Sequence, residues 1–237
     1  MEETHIRILV GAGSYADARA ALMIAERLAE MVRADLGGLL LEESGVFEGA
    51  ISQAQRVVTL RGAQRLVPPP QERARLWEQE AIAFRNLLTD MAKRRAASWS
   101  FERREGETVG ALCLAAREWD WLLIGHRKLG RHAGEVVAVL PGDGAQDGAG
   151  QLAETLARAL GTSVRTVAGD ASQVIEKIGR LSVCAVVTDA GNGPFREAEQ
   201  IRQLVDAARA PVLVMGASAL CRTLEHSTQI PPAPEPD

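Results

Sequence analysis

The sequence predicts an α/β fold, with parallel strands covered by helices on both faces and the pattern laid out in two related halves. Three observations carry this. Short apolar strands alternate with segments of helical period from residue 6 to residue 215. Several of those strands are unbroken apolar runs, as expected where both faces of a sheet are buried. The succession of strand, helix and strand then restarts near residue 134 in a shorter form.

Ile6–Val10 reads as the first strand, with Gly11-Ala12-Gly13-Ser14 as its stop. From Tyr15 to about Ala34, Ala18, Leu22, Ala25, Leu28, Ala29 and Val32 recur at helical spacing. Leu36–Leu41 is an apolar run with two glycines, a buried strand. Residues 44–70 have no clear period, and Pro68-Pro69-Pro70 closes them as a stiff break. Gln71–Arg95 is a long helix whose predicted buried face is Leu76, Trp77, Phe84, Leu87, Leu88 and Met91. Trp99 and Phe101 alternate with polar residues in a period-two strand. Thr108 caps a helix running to Trp119, and Trp121–Ile124 is a buried strand ending at Gly125. In the second half, strands are expected at 136–140, 163–168, 183–188 and 212–215, with helices at about 147–160, 171–180 and 195–209. Pro231-Pro232-Ala233-Pro234-Glu235-Pro236 reads as a disordered tail.

Of 237 residues, 46% are hydrophobic, enough for a real core, and 24% are charged. No run approaches a membrane span, and Met-Glu-Glu-Thr-His has neither the basic nor the apolar region of a secretory leader. A cytoplasmic location is expected. Cys113, Cys184 and Cys221 form no CxxC and read as thiols in a reducing compartment. No zinc-type ligand spacing occurs. Residues 1–133 hold 19 basic and 18 acidic side chains, whereas 134–237 hold 8 and 13. That asymmetry divides the chain into units 1–133 and 134–222, with 223–237 as the tail. The negative charge argues against nucleic acid, since Lys93-Arg94-Arg95 and Arg103-Arg104 are a modest basic cluster without aromatic platforms.

Three stretches resemble the universal stress protein family. Ile8-Leu9-Val10 to Ser14, an Ala-rich helix and Leu39-Leu40-Leu41 resemble its first strand, helix and second strand. Glu105-Gly106-Glu107-Thr108, a helix and Asp120–Gly125 resemble its third strand to fourth strand, echoed by Ala168-Gly169-Asp170 and Val186-Val187. Ala210-Pro211-Val212-Leu213-Val214 resembles its closing strand. The resemblance implies Rossmann-like parallel sheets in tandem, the first half lacking the final helix and strand and the second lacking the second helix and third strand. It also implies two halves that pack like the two subunits of a family dimer.

Many members of that family bind ATP through an Asp after the first strand and a loop of Gly, two residues, Gly, nine residues, then Gly-Ser or Gly-Thr. In such a loop, glycines let backbone N–H groups approach phosphates beside a helix N-terminus. Here Ala12 stands at the Asp position, and Gly125 and Gly130 are separated by four residues. Gly134 precedes Glu135, and Arg127 lies in a basic stretch that reads equally as a solvated linker. In the second half Asp143-Gly144 keeps an Asp-Gly pair, which also suits a plain turn. The loop Asp189-Ala190-Gly191-Asn192-Gly193 is short for the pattern, and Ala198-Glu199 stands where Gly-Ser is expected.

The candidate nucleotide residues are therefore Gly11, Gly13, Ser14, Gly125, Arg127, Gly130, Asp143, Gly144, Asp189 and Gly191, in two eroded sites. No GxSxG, HExxH or paired-carboxylate pattern points to catalysis. The expected function is a non-enzymatic regulatory or scaffolding protein without a cofactor. It meets an unidentified protein partner through residues 44–70, and an incomplete sheet edge suits a homodimer. The alternative is a small-ligand sensor for ATP or AMP at the strand ends.

Overall fold

A computed structural model describes residues 5–42, 55–58, 64–67, 69–95, 97–106, 108–126, 134–141 and 148–220. β1 (Ile6–Ala12) leads into α1 (Tyr15–Ala29) and β2 (Ala34–Glu42). β3 (Gln55–Val58) and β4 (Gln64–Val67) pair with each other antiparallel. α2 (Pro70–Arg95), β5 (Trp99–Glu105), α3 (Thr108–Ala115) with a 3-10 turn at Ala116–Glu118, and β6 (Trp121–Ile124) follow. The second half runs β7 (Glu135–Leu140), α4 (Gly148–Leu160), β8 (Val164–Ala168), α5 (Ala171–Ile178), β9 (Val183–Asp189), α6 (Ala198–Ala208) and β10 (Val212–Met215).

Eight of these strands form one sheet in the order β5-β2-β1-β6-β10-β9-β7-β8. All neighbours in it are parallel except β6 and β10, which are antiparallel. This one pair departs from the all-parallel expectation. It joins the strands of residues 6–124 to those of residues 135–215, so the two predicted units share a sheet.

Alternation along each strand feeds two cores. Ile8, Val10, Leu36, Leu123, Val187 and Leu213 face α1, α2 and α4. Leu9, Leu39, Leu122, Val186 and Val214 face α3, α5 and α6. Helices also meet across the seam, α1 with α4 on one face and α3 with α6 on the other.

Several boundaries differ from the sequence expectation for identifiable reasons. β1 runs through Gly11 because that residue is still in the ladder, opposite Leu39 and Ile124. α1 ends five residues early because Ala34 is claimed by β2, where it pairs with Ile6. On α2, Phe84, Leu88 and Met91 are buried as expected, joined by Ala81 and Ala92, but Leu76 is 48% exposed. At 100° per residue Leu76 sits roughly 100° from the centre of that buried arc, at its rim. α6 starts at Ala198 because the Gln200 side chain accepts from the Arg196 and Glu197 N–H groups, and it ends at Arg209 in the left-handed region, φ 48°. Cys113 is buried in α3, Cys184 is half-buried in β9, and Cys221 lies outside the described residues, as do Val46, Phe47 and Ile51 of the 44–70 segment.

At the N-terminal end of the sheet, Asp35 ties three strands together. His5 Nε2 lies 2.7 Å from its Oδ2, and Ser98 N–H donates to its Oδ1 at 3.1 Å. The His5 hydrogen bond holds the Asp35 carboxyl below its ordinary value, partial burial opposes this, and Ser98 reinforces it. The stabilisation is therefore fully present above the unfolded carboxylate value of about 3.9 and is lost as pH falls through the lower folded value. Asp35→Asn should lower stability at neutral pH and leave it little changed below the folded carboxyl value, so that the acid limb of the stability–pH curve flattens, as read by urea midpoints from pH 2.5 to 7.

Leu123 and Leu213 face each other across the seam, both fully buried. Leu213→Ala should cost about 2–5 kcal/mol and lower the urea midpoint of the whole chain in a single transition. Two separate transitions, only one of them displaced, would contradict a sheet that unfolds as a unit.

Candidate functional site

The antiparallel seam sends the C-terminal ends of the two strand sets in opposite directions. Ile124, last in β6, pairs with Val212, first in β10, while Trp121 pairs with Met215. Ligand crevices in open α/β sheets lie beyond the C-terminal strand ends, so this chain has two, at opposite ends of the sheet. Gly11, Gly13, Ser14 and Gly125 belong to the first; Asp189 and Gly191 belong to the second. Arg127, Gly130, Asp143 and Gly144 lie outside the described residues. The sequence candidates therefore do not converge on one site.

In the first crevice, β1 delivers the chain through Gly13 to Ser14, the N-cap of α1. Ser14 Oγ accepts from Asp17 N–H at 3.2 Å and donates to Asp17 Oδ2 at 2.5 Å. The Tyr15 N–H donates to Glu80 Oε2 of α2 at 3.2 Å. Two N–H groups of the first turn are thus already bonded, and two carboxylates stand where the helix dipole would favour an anion. Like charges 4 Å apart repel by about 1 kcal/mol in bulk water and several times that where solvent is scarce. Asp17 of α1 and Glu80 of α2 therefore disfavour an anion at this helix start.

The glycines here have packing reasons. A side chain at Gly11 would overlap Leu112 of α3, which is fully buried. Gly125 N–H donates to the Gly11 carbonyl at 2.7 Å, and a Cβ on Gly125 would lie 2.5 Å from the Asp17 carbonyl oxygen. Ala12, at the position where the family resemblance implies an Asp, is fully buried.

In the second crevice, Asp189 closes its own turn. Its Oδ1 accepts from Gly191 N–H at 2.7 Å, its Oδ2 from Asn192 Nδ2 at 3.1 Å, and its carbonyl from Gly193 N–H at 2.7 Å. Gly216, at φ 61°, lies alongside, where a Cβ would come 3.3 Å from Asp189 Oδ1. The start of α4 differs from that of α1. Gly148 is exposed there, and the first turn carries no acidic residue. Glu199, predicted to repel phosphate, is exposed on α6 and ion-paired with Arg202 at 2.5 Å. Its carboxyl is held below the ordinary range by the Arg202 hydrogen bonds.

The basic cluster read from the sequence resolves largely into pairs: Arg94 with Glu26, Arg95 with Glu30, Arg103 with Glu78 and Arg104 with Glu102. Among the described residues, no three His, Cys, Asp or Glu side chains gather as a metal site, and no helix is long and apolar enough to cross a membrane. The residues that sequence reasoning missed are Glu80 and Leu112. A periodicity argument places Leu112 in the core, but nothing in the sequence connects Glu80 to Tyr15.

No family model and no curated protein match this chain. Solved structures do. It is similar to a universal stress protein family structure from Burkholderia pseudomallei, 18% identical over 68% of this chain and 96% of that one, at a TM-score of 0.36. It is similar to a universal stress protein from Archaeoglobus fulgidus, 9% identical over 88% and 95%, at 0.42. A third, from Arabidopsis thaliana with AMP bound, is 11% identical over 70% and 94%, at 0.31. What the crevices of this chain do is decided by its own residues.

Gly125→Ala should lower stability by about 1–3 kcal/mol with or without nucleotide, because its added methyl meets backbone. A thermal melt that is unchanged by the substitution would mean the start of α1 is not packed against Gly125.

Proposed function

We propose that the chain is a non-enzymatic regulatory or scaffolding protein of the universal stress type, acting through protein partners, with its nucleotide sites degenerate. The observation that carries this reading is the start of α1, where the Ser14 and Glu80 side chains bond the Asp17 and Tyr15 N–H groups that a helix N-terminus would otherwise offer an anion. The order of strands agrees with a trimmed tandem. β5-β2-β1-β6 and β8-β7-β9-β10 are two parallel sets that meet at their last strands in opposite sense. The docking element is the 44–70 segment, within which β3 and β4 form a small sheet separate from the eight-stranded one.

A second reading keeps an adenine-nucleotide sensor in the second crevice. What favours it is the start of α4, exposed at Gly148 and free of acidic residues in its first turn. The two readings separate in a thermal-shift titration, because a ligand that binds only the folded state raises the melting temperature. The expected result is no shift with ATP or AMP at millimolar concentration and no nucleotide released on denaturation. A shift abolished by Gly148→Glu and retained in Asp17→Ala would establish the sensor instead. For the leading reading, deletion of 44–66 should remove the partners captured by the intact chain. Capture unchanged by the deletion would reject that segment as the docking element.

A further inference from the structure

The outer edge of β5 is a surface neither crevice uses. Bonds from Leu36 N–H to Ser98 O and from Gly106 N–H to Glu42 O bracket its ladder with β2. Between them the alternation of a parallel ladder turns the N–H and C=O groups of Trp99, Phe101, Arg103 and Glu105 away from β2. Every residue of β5 except Phe101 is exposed, and among the described residues no strand pairs with its outer side. The opposite edge of the sheet is managed differently. β8 has five residues to the seven of β5, and Lys177 Nζ donates to the Ala168 carbonyl at 2.9 Å, blocking its end. β5 has no proline, and its register with β2 is unbroken.

We propose that β5 pairs antiparallel with β5 of a second copy of this chain, in the register that centres on Arg103. A two-fold axis perpendicular to the sheet keeps opposed side chains on one face, so residues facing each other are both odd-numbered or both even-numbered. Only the odd-numbered residues carry outward groups and form the hydrogen-bonded pairs, about six bonds in all. Centring on Arg103 sets Glu102 opposite Arg104 twice, in non-hydrogen-bonded pairs with Cα atoms about 4.5 Å apart. Centring on Glu102 sets that carboxylate against its own counterpart.

The central arginines do not oppose this register. Each Arg103 side chain turns onto α2, ion-paired with Glu78 and with its guanidinium carbon 5.2 Å from the Trp77 ring centroid. On the other face Ser100, Glu102 and Arg104 are exposed. Glu102 and Arg104 already pair within the strand at 2.6 Å, so each can exchange that partner for one across the interface.

Analytical ultracentrifugation of the full chain from micromolar to hundreds of micromolar tests this. The expected result is a concentration-dependent dimer. Glu102→Arg or Arg104→Glu alone sets like charges across the interface twice and should weaken the dimer by at least about tenfold. The double reversal Glu102→Arg/Arg104→Glu restores both attractions and should recover it. Melting curves of all three variants should stay near that of the native chain, because an exposed intrastrand pair contributes little; this separates lost pairing from lost fold. A monomer at every concentration, a dimer indifferent to both single reversals, or a double reversal that fails to recover it overturns the proposal.

Discussion

Four residue pairs between β6 and β10, from Ile124 with Val212 to Trp121 with Met215, hold the two sets of strands in one sheet. Seven of these eight residues are buried, Met215 being the partly exposed one. The helices on both faces therefore pack over a continuous apolar floor at the seam. Hydrophobic burial is non-directional and permits either sense of pairing, and the sense found here is antiparallel. That sense decides the rest. It places the C-terminal strand ends of the two halves at opposite ends of the molecule, so neither crevice can borrow residues from the loops of the other.

Each crevice is consequently as complete as its own half allows. In the first, the N–H groups at the helix start are engaged by internal bonding. Glycines that would bring backbone toward a phosphate instead let α3 and the first turn of α1 approach the strands, and carboxylates satisfy the N–H groups at the helix start. In the second, the Asp189 carboxylate is bonded within its own turn, while the first turn of α4 carries no acidic residue. The two crevices thus differ in the electrostatics of their helix starts.

Much of the fold was legible in the chain because period and burial are local properties. Val136–Leu140 and Trp121–Ile124 read as buried strands and are so, and the buried stripe of α2 was found apart from Leu76, which lies at its rim. Boundaries were less legible where a ladder decided them. Ala34 is a good helix former, yet it pairs with Ile6, and Gly11 resembles a stop, yet it stays in register with Leu39. The departures from the family's glycine spacing are sequence facts, Ala12 and the Gly125–Gly130 interval among them. The bonds that Ser14, Asp17 and Glu80 make at the start of α1 could not be read in this way.

By itself the sequence determined the alternation of strands and helices and the departure from an intact glycine-rich phosphate loop, both properties of neighbouring residues. The tertiary structure decided the strand order, the antiparallel seam and the bonding at the start of α1. Glu80 reaches the Tyr15 amide across 65 residues, and β10 pairs with β6 although β7, β8 and β9 come between them in the chain. Contacts of that separation depend on which surfaces remain uncovered once local elements have formed, and no local pattern encodes them. The same reason explains β5. Its composition suits a covered strand as well as an edge, and only the assembled sheet leaves one side of it without a partner strand among the described residues.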